Sequence, residues 1–400
     1  MTDRQARWAV SALFFSNGAI AANLIPRLPE VKSDLGLSNT GFGLAVASTP
    51  IGALSAGLLA GVLIRRFSSA KVAVIGMIGS GFAVILAGAA PIWAVFALGL
   101  FLAGALDAVV DVAQNSHGLR VQRRMGRSIL NSFHALWSIG AVTGGLMGAA
   151  AAGLGLPLVV HLAISGMLFA CLNAVAYRYL LPGPEPQDVP IEAPATSADA
   201  VGLGAGKRAA ARYGTFGALL ALGFIVVAQS VVEDAGNNWA TLYMGSSLGA
   251  PASVAAFGFI SLVGMQFIGR ITGDALVDRF GQRNMARFGG TLVALGMGLA
   301  LAWPSIPGSI IGFGAAGFGI ATLVPAAMET ADRLPGLNAG TGLTVVSWLL
   351  RVGFLLSPPV VGALADATSL RFGLIVIPLA GLGIVLAAGV LPNRSSRAAH

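Results

Sequence analysis

The stretch VAVIGMIGSGFAVILAGAA, residues 72–90, runs nineteen positions without a charge. As an α-helix rising 1.5 Å per residue it is about 28 Å long, which matches a hydrocarbon core of about 30 Å. Outward from it the same signature recurs along the whole chain. Breaks at charge clusters and Pro/Gly turns divide the 400 residues into twelve apolar spans, at about 8–26, 40–64, 72–90, 93–116, 129–151, 157–180, 214–236, 253–277, 286–304, 308–330, 340–364 and 371–391. Composition agrees: 10% of the residues are charged and 56% hydrophobic, whereas a soluble domain carries about 25% charged residues. The sequence specifies an all-α integral membrane protein with no length left for a separate soluble domain. The first apolar run, Trp8 to Ile25, is interrupted by Ser16, Asn17 and Gly18 and is followed by many further spans, so it reads as a retained helix and not as a leader.

Of the 24 Lys and Arg residues, nineteen fall on the side that holds both termini, while Arg27, Lys32 and Arg371 fall on the other and Arg270 and Arg351 lie within spans. By the positive-inside rule both termini are expected in the cytoplasm of a multi-pass protein of the cell's inner (cytoplasmic) membrane. The net charge of +8 is then topological, and a nucleic-acid partner loses its support. One cysteine, Cys171, excludes a disulfide framework, and His117, His134, His161 and His400 have no ligand spacing, so neither metal nor cofactor is expected. There is no GxxxxGK[ST] for ATP-driven pumping. GSSLG (245–249) fits G-x-S-x-G, but in a short loop between membrane helices, and no nucleophile, base and orienting group recur together. The chain is not read as an enzyme.

Residues 181–213 form the only long polar segment, rich in proline and acids, and read as a flexible cytoplasmic linker between an N-terminal six-helix bundle (1–180) and a C-terminal one (214–400). The halves echo one another. GVLIRRFSSAK (61–71) and DALVDRFGQRN (274–284) superpose Arg66-Phe67 on Arg279-Phe280 at an offset of 213, and the same offset brings Ser138-Ile139-Gly140 onto Arg351-Val352-Gly353.

The run GRITGDALVDRFGQR (269–283) resembles the signature of the major facilitator superfamily of secondary transporters, with Gly273, Asp278, Arg279, Gly281 and Arg283 matching as they stand. DVAQN (111–115), RVQRRMGR (120–127) and FHALWSIG (133–140) are similar to a bacterial branch near the fucose-permease type of sugar:proton symporter. The resemblance implies twelve helices in two pseudo-symmetric bundles, span 4 on the wall of a central cavity, and a cytoplasmic gate at Arg270, Gly273, Asp278, Arg279, Gly281 and Arg283. The N-terminal copy departs from it: Arg65 stands where the Asp belongs and Ser68 where the Gly belongs. The glycines of GAVTGGLMGA (140–149) resemble the signature of proton-driven drug exporters, but Gly145 occupies the place of its proline; close helix packing is the alternative use of such glycines.

Within span 4, Gly104, Asp107, Asp111, Asn115 and Gly118 share one helical face. A charged Asp near the bilayer centre costs about 2.5–3.5 kcal/mol on insertion scales, so this stripe must meet protein or water. Two carboxylates four residues apart repel, and with desolvation this favours a proton on one of them; Asp107 and Asp111 are candidate proton-coupling groups, unless either is permanently paired with an arginine. Arg351 in span 11 is the counter-charge, available to an anionic substrate or to Asp107 or Glu233. Gln229, Glu233 and Asn237 form a second stripe in span 7, followed by Trp239; Glu233 joins the proton-coupling candidates, and Asp234, off that face, is expected at water. Asn131 and His134 share a face of span 5, and Asn17 and Asn23 interrupt span 1. Asn17, Asn23, Asn115, Asn131, His134, Gln229, Asn237, Trp239 and Arg351 are the candidate solute-binding residues, each also readable as helix-packing polarity. The reading is a monomeric transporter moving a small polar solute, a sugar or organic anion, by proton-coupled alternating access. Its alternatives are a proton antiporter exporting amphipathic compounds and a non-transporting membrane sensor or scaffold.

Overall fold

A computed structural model describes residues 2–126, 129–183, 205–335, 337 and 341–393; the side chains of Asn131 and of 205–213 lie outside the description, as do most of the expected linker and His400. Among the described residues eleven helices are long and apolar enough to cross a membrane, and a bent pair supplies the twelfth. They are α1 (Asp3–Asp34), α2 (Asn39–Gly57 with Ala60–Phe67, bent by 53°), α3 (Ser69–Gly88), α4 (Trp93–Met125), α5 (Ser132–Gly153), α6 (Leu158–Tyr177), α7 (Gly214–Ser247), α8 (Ala252–Phe280), α9 (Gln282–Ala302), α10 (Ile306–Asp332), α11 (Thr341–Ala367) and α12 (Leu370–Val390). Each coincides with one of the twelve apolar runs. Helix starts carry the residues that satisfy free backbone N–H groups: Ser38, Ser305 and Ser369 accept from Gly41, Gly308 and Phe372. Gly126 ends α4 in the left-handed conformation.

Packing within the halves depends on missing side chains. In the α1/α5 seam a Cβ on Gly18 would fall onto the Trp137 carbonyl, and Cβ atoms on Gly140 and Gly144 would fall onto the carbonyls of Phe15 and Ala19. The exporter-like glycines of α5 thus serve close packing against α1, as small residues do where no hydrophobic force drives helices together. Gly145, in the same run, packs on Phe259 and Ile260 of α8.

The offset of 213 holds in three dimensions. Ser68 (φ 79, ψ 150) and Gly281 (φ 82, ψ 154), equivalent at that offset, take the same unusual backbone conformation. The guanidinium of Arg66 stands 5.4 Å from the Phe67 ring, and that of Arg279 stands 5.3 Å from Phe280. Ser69 bonds His117 and Thr330 bonds Gln282, the same pair of positions in the two halves. Gly104 meets the Thr49 carbonyl as Gly317 meets that of Leu262, and Gly99 meets Ala87 as Gly312 meets Ala300. The chain is two pseudo-symmetric six-helix bundles.

Between the bundles the two ends differ. At the end away from the basic loops, Gly43 packs on the Pro358 carbonyl, Gly362 on that of Asn39, and Gly153 on Ser253. Phe42 of α2 meets Trp239 of α7 edge to face at 5.3 Å. The Asp366 carboxylate of α11 accepts from the backbone N–H groups of Asn39 and Thr40 at 2.9 and 2.7 Å and from the Asn39 side chain at 2.9 Å. At the basic end the halves part.

Candidate functional site

The opening at the basic end is a cleft of about 540 Å³ between α5, α8 and α10. His134 and Ser138 line one wall, Arg270 and Asp274 the other, with Glu329 at the side. His134 is exposed and stands edge-on to Phe14 at 5.2 Å. Asp111 of α4 lies within electrostatic reach of His134. Its carboxylate accepts from the Asn115 side chain at 3.0 Å, and Asn115 also donates to the Asp111 carbonyl at 2.8 Å.

One turn deeper, Asp107 Oδ1 accepts from Asn17 Nδ2 at 2.8 Å, and Asn17 Oδ1 accepts from Trp137 Nε1 at 2.7 Å. The chain Asp107–Asn17–Trp137 ties α4, α1 and α5 together through neutral donors. The lipid-facing side of α4 carries Leu98, Leu102, Val112 and Leu119, and the polar stripe lies on another side. Gly104 in that stripe lets α2 approach to backbone contact. Among the described residues neither Asp107 nor Asp111 has a cationic partner within salt-bridge distance.

The second stripe is built differently. Glu233 of α7 accepts from Gln229 and faces Arg270 of α8, with Nη2 to Oε1 3.9 Å. Arg351 therefore partners neither Asp107 nor Glu233 in this conformation. It is exposed, and its Nη1 stands 3.9 Å from where a Cβ on Gly57 of α2 would be, so it spans the gap between the bundles. Trp239 is fully buried with no acceptor for its indole N–H, and Asn237 Oδ1 and Gln229 Oε1 likewise lack donors. Asn23 is buried away from the gap: it donates to the Ala19 carbonyl at 2.8 Å and pairs with His161 at 2.9 Å. Asn131 lies immediately before α5, with its side chain outside the described residues.

Asp234 corrects the sequence reading. It is 6% exposed, not at water; Asn238 donates to its Oδ1 at 2.8 Å and its Oδ2 has no partner. Ser357 of α11 is beside it. Helical spacing puts Asp234 off the polar face of α7, but α11 packs against that flank, with Gly353 on Ser230. Periodicity fixes a face of one helix and says nothing of the helix opposite.

At the junction of α8 and α9, Gly273 lets Thr322 of α10 come close, and a Cβ there would strike the Thr322 methyl. Asp278 is exposed, and Arg279 lies over Phe280. Arg283 binds the end of α12, with Nε 2.9 Å from the Leu391 carbonyl. Among the described residues no group of His, Cys, Asp and Glu is arranged to hold a metal ion.

The sequence profile of the Major Facilitator Superfamily matches residues 10–276. The chain belongs to this superfamily. It is 28% identical over 384 residues to an uncharacterized transporter, y4wD, of Sinorhizobium fredii, covering 96% of this chain and 97% of that one. A mutant form of the nucleoside transporter NupG shares the fold with a TM-score of 0.75 at 14% identity, over 96% of this chain and 98% of that one. A D-xylose-proton symporter superposes with a TM-score of 0.67 at 16% identity, over 98% of each. The superfamily consists of transporters and not enzymes, and this is a multi-pass membrane transporter.

Proposed function

We propose that the chain is a proton-coupled secondary transporter that carries a small polar solute, a sugar or an organic anion, by alternating access in the cytoplasmic membrane. Residues 1–180 and 214–400 are the two bodies that rock, 181–213 is the cytoplasmic tether, and the protein works as a monomer with both termini in the cytoplasm. The basic end then faces the cytoplasm, and the present arrangement is open inward.

Asp107 carries this reading: a carboxylate near the middle of an apolar helix, held by the neutral amide of Asn17 and not by a cation. Such a group is costly when ionised and loses that cost on taking a proton. A proton arriving through the cleft passes His134 and Asp111 before Asp107, and neutralising Asp107 lowers the cost of closing the bundles around it. Protonation thereby shifts the population of states, which is the requirement for coupling. Glu233 with Arg270 supplies a second charge whose balance changes as α7 and α8 move. Arg351, across the gap from Gly57, is the group to hold an anionic or strongly polar solute, with Gln229, Asn237, Trp239, Asn115 and Asn131 as its neutral hydrogen-bonding company. Asn17, bonded to Asp107, is the route by which solute and proton sense each other. Asp278, Arg279 and Arg283, with Gly273 and Gly281, form the cytoplasmic gate when the inward opening shuts. The D-xylose-proton symporter of the same fold lends support to both solute class and coupling ion.

The test is a thermal-shift screen of the purified protein against sugars, nucleosides, organic acids and amphipathic drugs at two pH values, followed by counterflow of each hit in proteoliposomes. The reading expects a polar solute whose stabilisation changes with pH and which exchanges. Stabilisation by amphipathic drugs alone would favour an exporter, and binding without exchange would favour a sensor.

A further inference from the structure

A second cleft, of about 600 Å³ and basic in its lining, lies outside the transport route at the same end of the molecule, between the α2/α3 turn and the end of α6. Arg65, Arg66, Lys71 and Arg178 line it, and among the described residues none of the four has a carboxylate within salt-bridge distance. Its floor is the buried Leu180 and Leu181. Arg120 fixes that wall by donating to the Pro182 carbonyl at 3.0 Å.

The fold does not demand these cations. At the offset of 213 the second bundle builds the same turn with Asp278, Arg279, Asn284 and Leu391 in place of Arg65, Arg66, Lys71 and Arg178. The backbone is reproduced at Ser68 and Gly281, while three of four positive charges are not. Topology asks for basic residues on this side, but it does not ask that they converge on one concave site.

Surroundings fix the depth of the cleft. Phe67 and Tyr177 line it and are 48% and 41% exposed, and Trp8 and Tyr179 meet edge to face close by, with ring centroids 6.0 Å apart. Exposed aromatics gathered at one end of membrane helices mark the level of the lipid headgroups. Guanidinium forks suit the paired oxygens of a phosphodiester, and clusters of cations between helix ends are suited to anionic headgroups. We propose that this cleft is a binding site for the phosphodiester headgroup of an anionic phospholipid, its acyl chains lying along Phe67 and Tyr177. It anchors the turn between α2 and α3, whose counterpart in the other bundle carries the Asp-Arg gate signature.

The full-length protein in nanodiscs of phosphatidylethanolamine, with and without one quarter phosphatidylglycerol, tests this. Native mass spectrometry of the released protein should retain phosphatidylglycerol in preference to phosphatidylethanolamine, and thermal unfolding should shift upward in the mixed lipid. Retention should fall about fivefold for each cation removed, in R66Q, R178Q and R66Q/R178Q, since one basic residue near a charged surface contributes about 1 kcal/mol. R66K/R178K should keep most of it, and R287Q, an exposed charge elsewhere at the same end, should keep all of it. Equal retention by R66Q/R178Q and the parent protein would overturn the proposal. So would inorganic phosphate stabilising the detergent-purified protein as well as phosphatidylglycerol does, which would assign the cleft to a free anion. Comparing the Gln and Lys pairs keeps the result readable if the wider substitutions unfold.

Discussion

At the residue scale Asp107 faces the space between the helices and is held by a neutral partner, the buried Asn17. The Asn17 amide both donates to Asp107 and accepts from Trp137, so Asn17→Ala strips the carboxyl of its donor and leaves the indole N–H unpaired. A side-chain hydrogen bond inside a membrane protein contributes about 0.6–1.7 kcal/mol, so this substitution should lower thermal stability by a few degrees and shift the pH dependence of transport. Asp234 makes a sharper case. Its carboxyl group is buried with one amide donor and no cation within salt-bridge distance among the described residues, so an uncharged amide of the same shape fits the same space. Asp234→Asn should therefore leave the unfolding temperature within a degree or two, whereas Asp234→Lys should abolish expression. A large loss in the Asn variant would mean that an ionised Asp234 is what the fold needs. From the sequence, the stripes of α4 and α7 were legible because spacing alone sets them. The partners were not: Arg270 facing Glu233, His161 beside Asn23 and Ser357 beside Asp234 join residues 37 to 138 positions apart, which no periodicity links.

At the element scale the twelve crossings were legible, because each requires about 20 apolar residues, while the ends were not: α1 runs on past Arg27 to Asp34 and α4 past Arg120 to Met125. The bend of α2 at Gly57–Ala60 and the contact of its first turns with α11 were not, since both depend on the other bundle. The repeated α2/α3 and α8/α9 turns carry a prediction. Ser68 holds φ 79, ψ 150, a region that costs a residue with a Cβ about 1–3 kcal/mol, where its equivalent is Gly281. Ser68→Gly should raise stability by about 1 kcal/mol, read as a higher unfolding temperature in detergent, and Gly281→Val should lower it by about as much or more. The α1/α5 seam is less forgiving. Because a Cβ on Gly18 or Gly140 meets a backbone carbonyl, Gly18→Val or Gly140→Val must separate the helices and break the Asn17–Trp137 bond with them.

At the scale of the whole molecule, the bundles meet at one end and part at the other, and Asp366 is the polar part of the closed end. Its carboxylate satisfies two free N–H groups at the start of α2 and the Asn39 side chain, contacts that exist only while that end is shut. In a Cys171→Ala background, Asp366→Ala should raise the rate at which a membrane-impermeant thiol reagent labels Asn237→Cys by several fold; an unchanged rate would mean that packing at Gly43, Gly362 and Phe42 holds the end shut alone. The pseudo-twofold relation was legible as two short matches at one offset, and the structure extends that offset to turns, hydrogen bonds and helix contacts. Whether Asp107 takes and releases a proton during transport is tested by reconstituting Asp107→Asn in proteoliposomes with a solute from the screen. Uptake driven by an imposed pH gradient should be lost, by about a hundredfold or more, the effect of removing a proton-transfer group, while counterflow exchange of the same solute persists. Undiminished pH-driven uptake by Asp107→Asn would contradict proton exchange at Asp107.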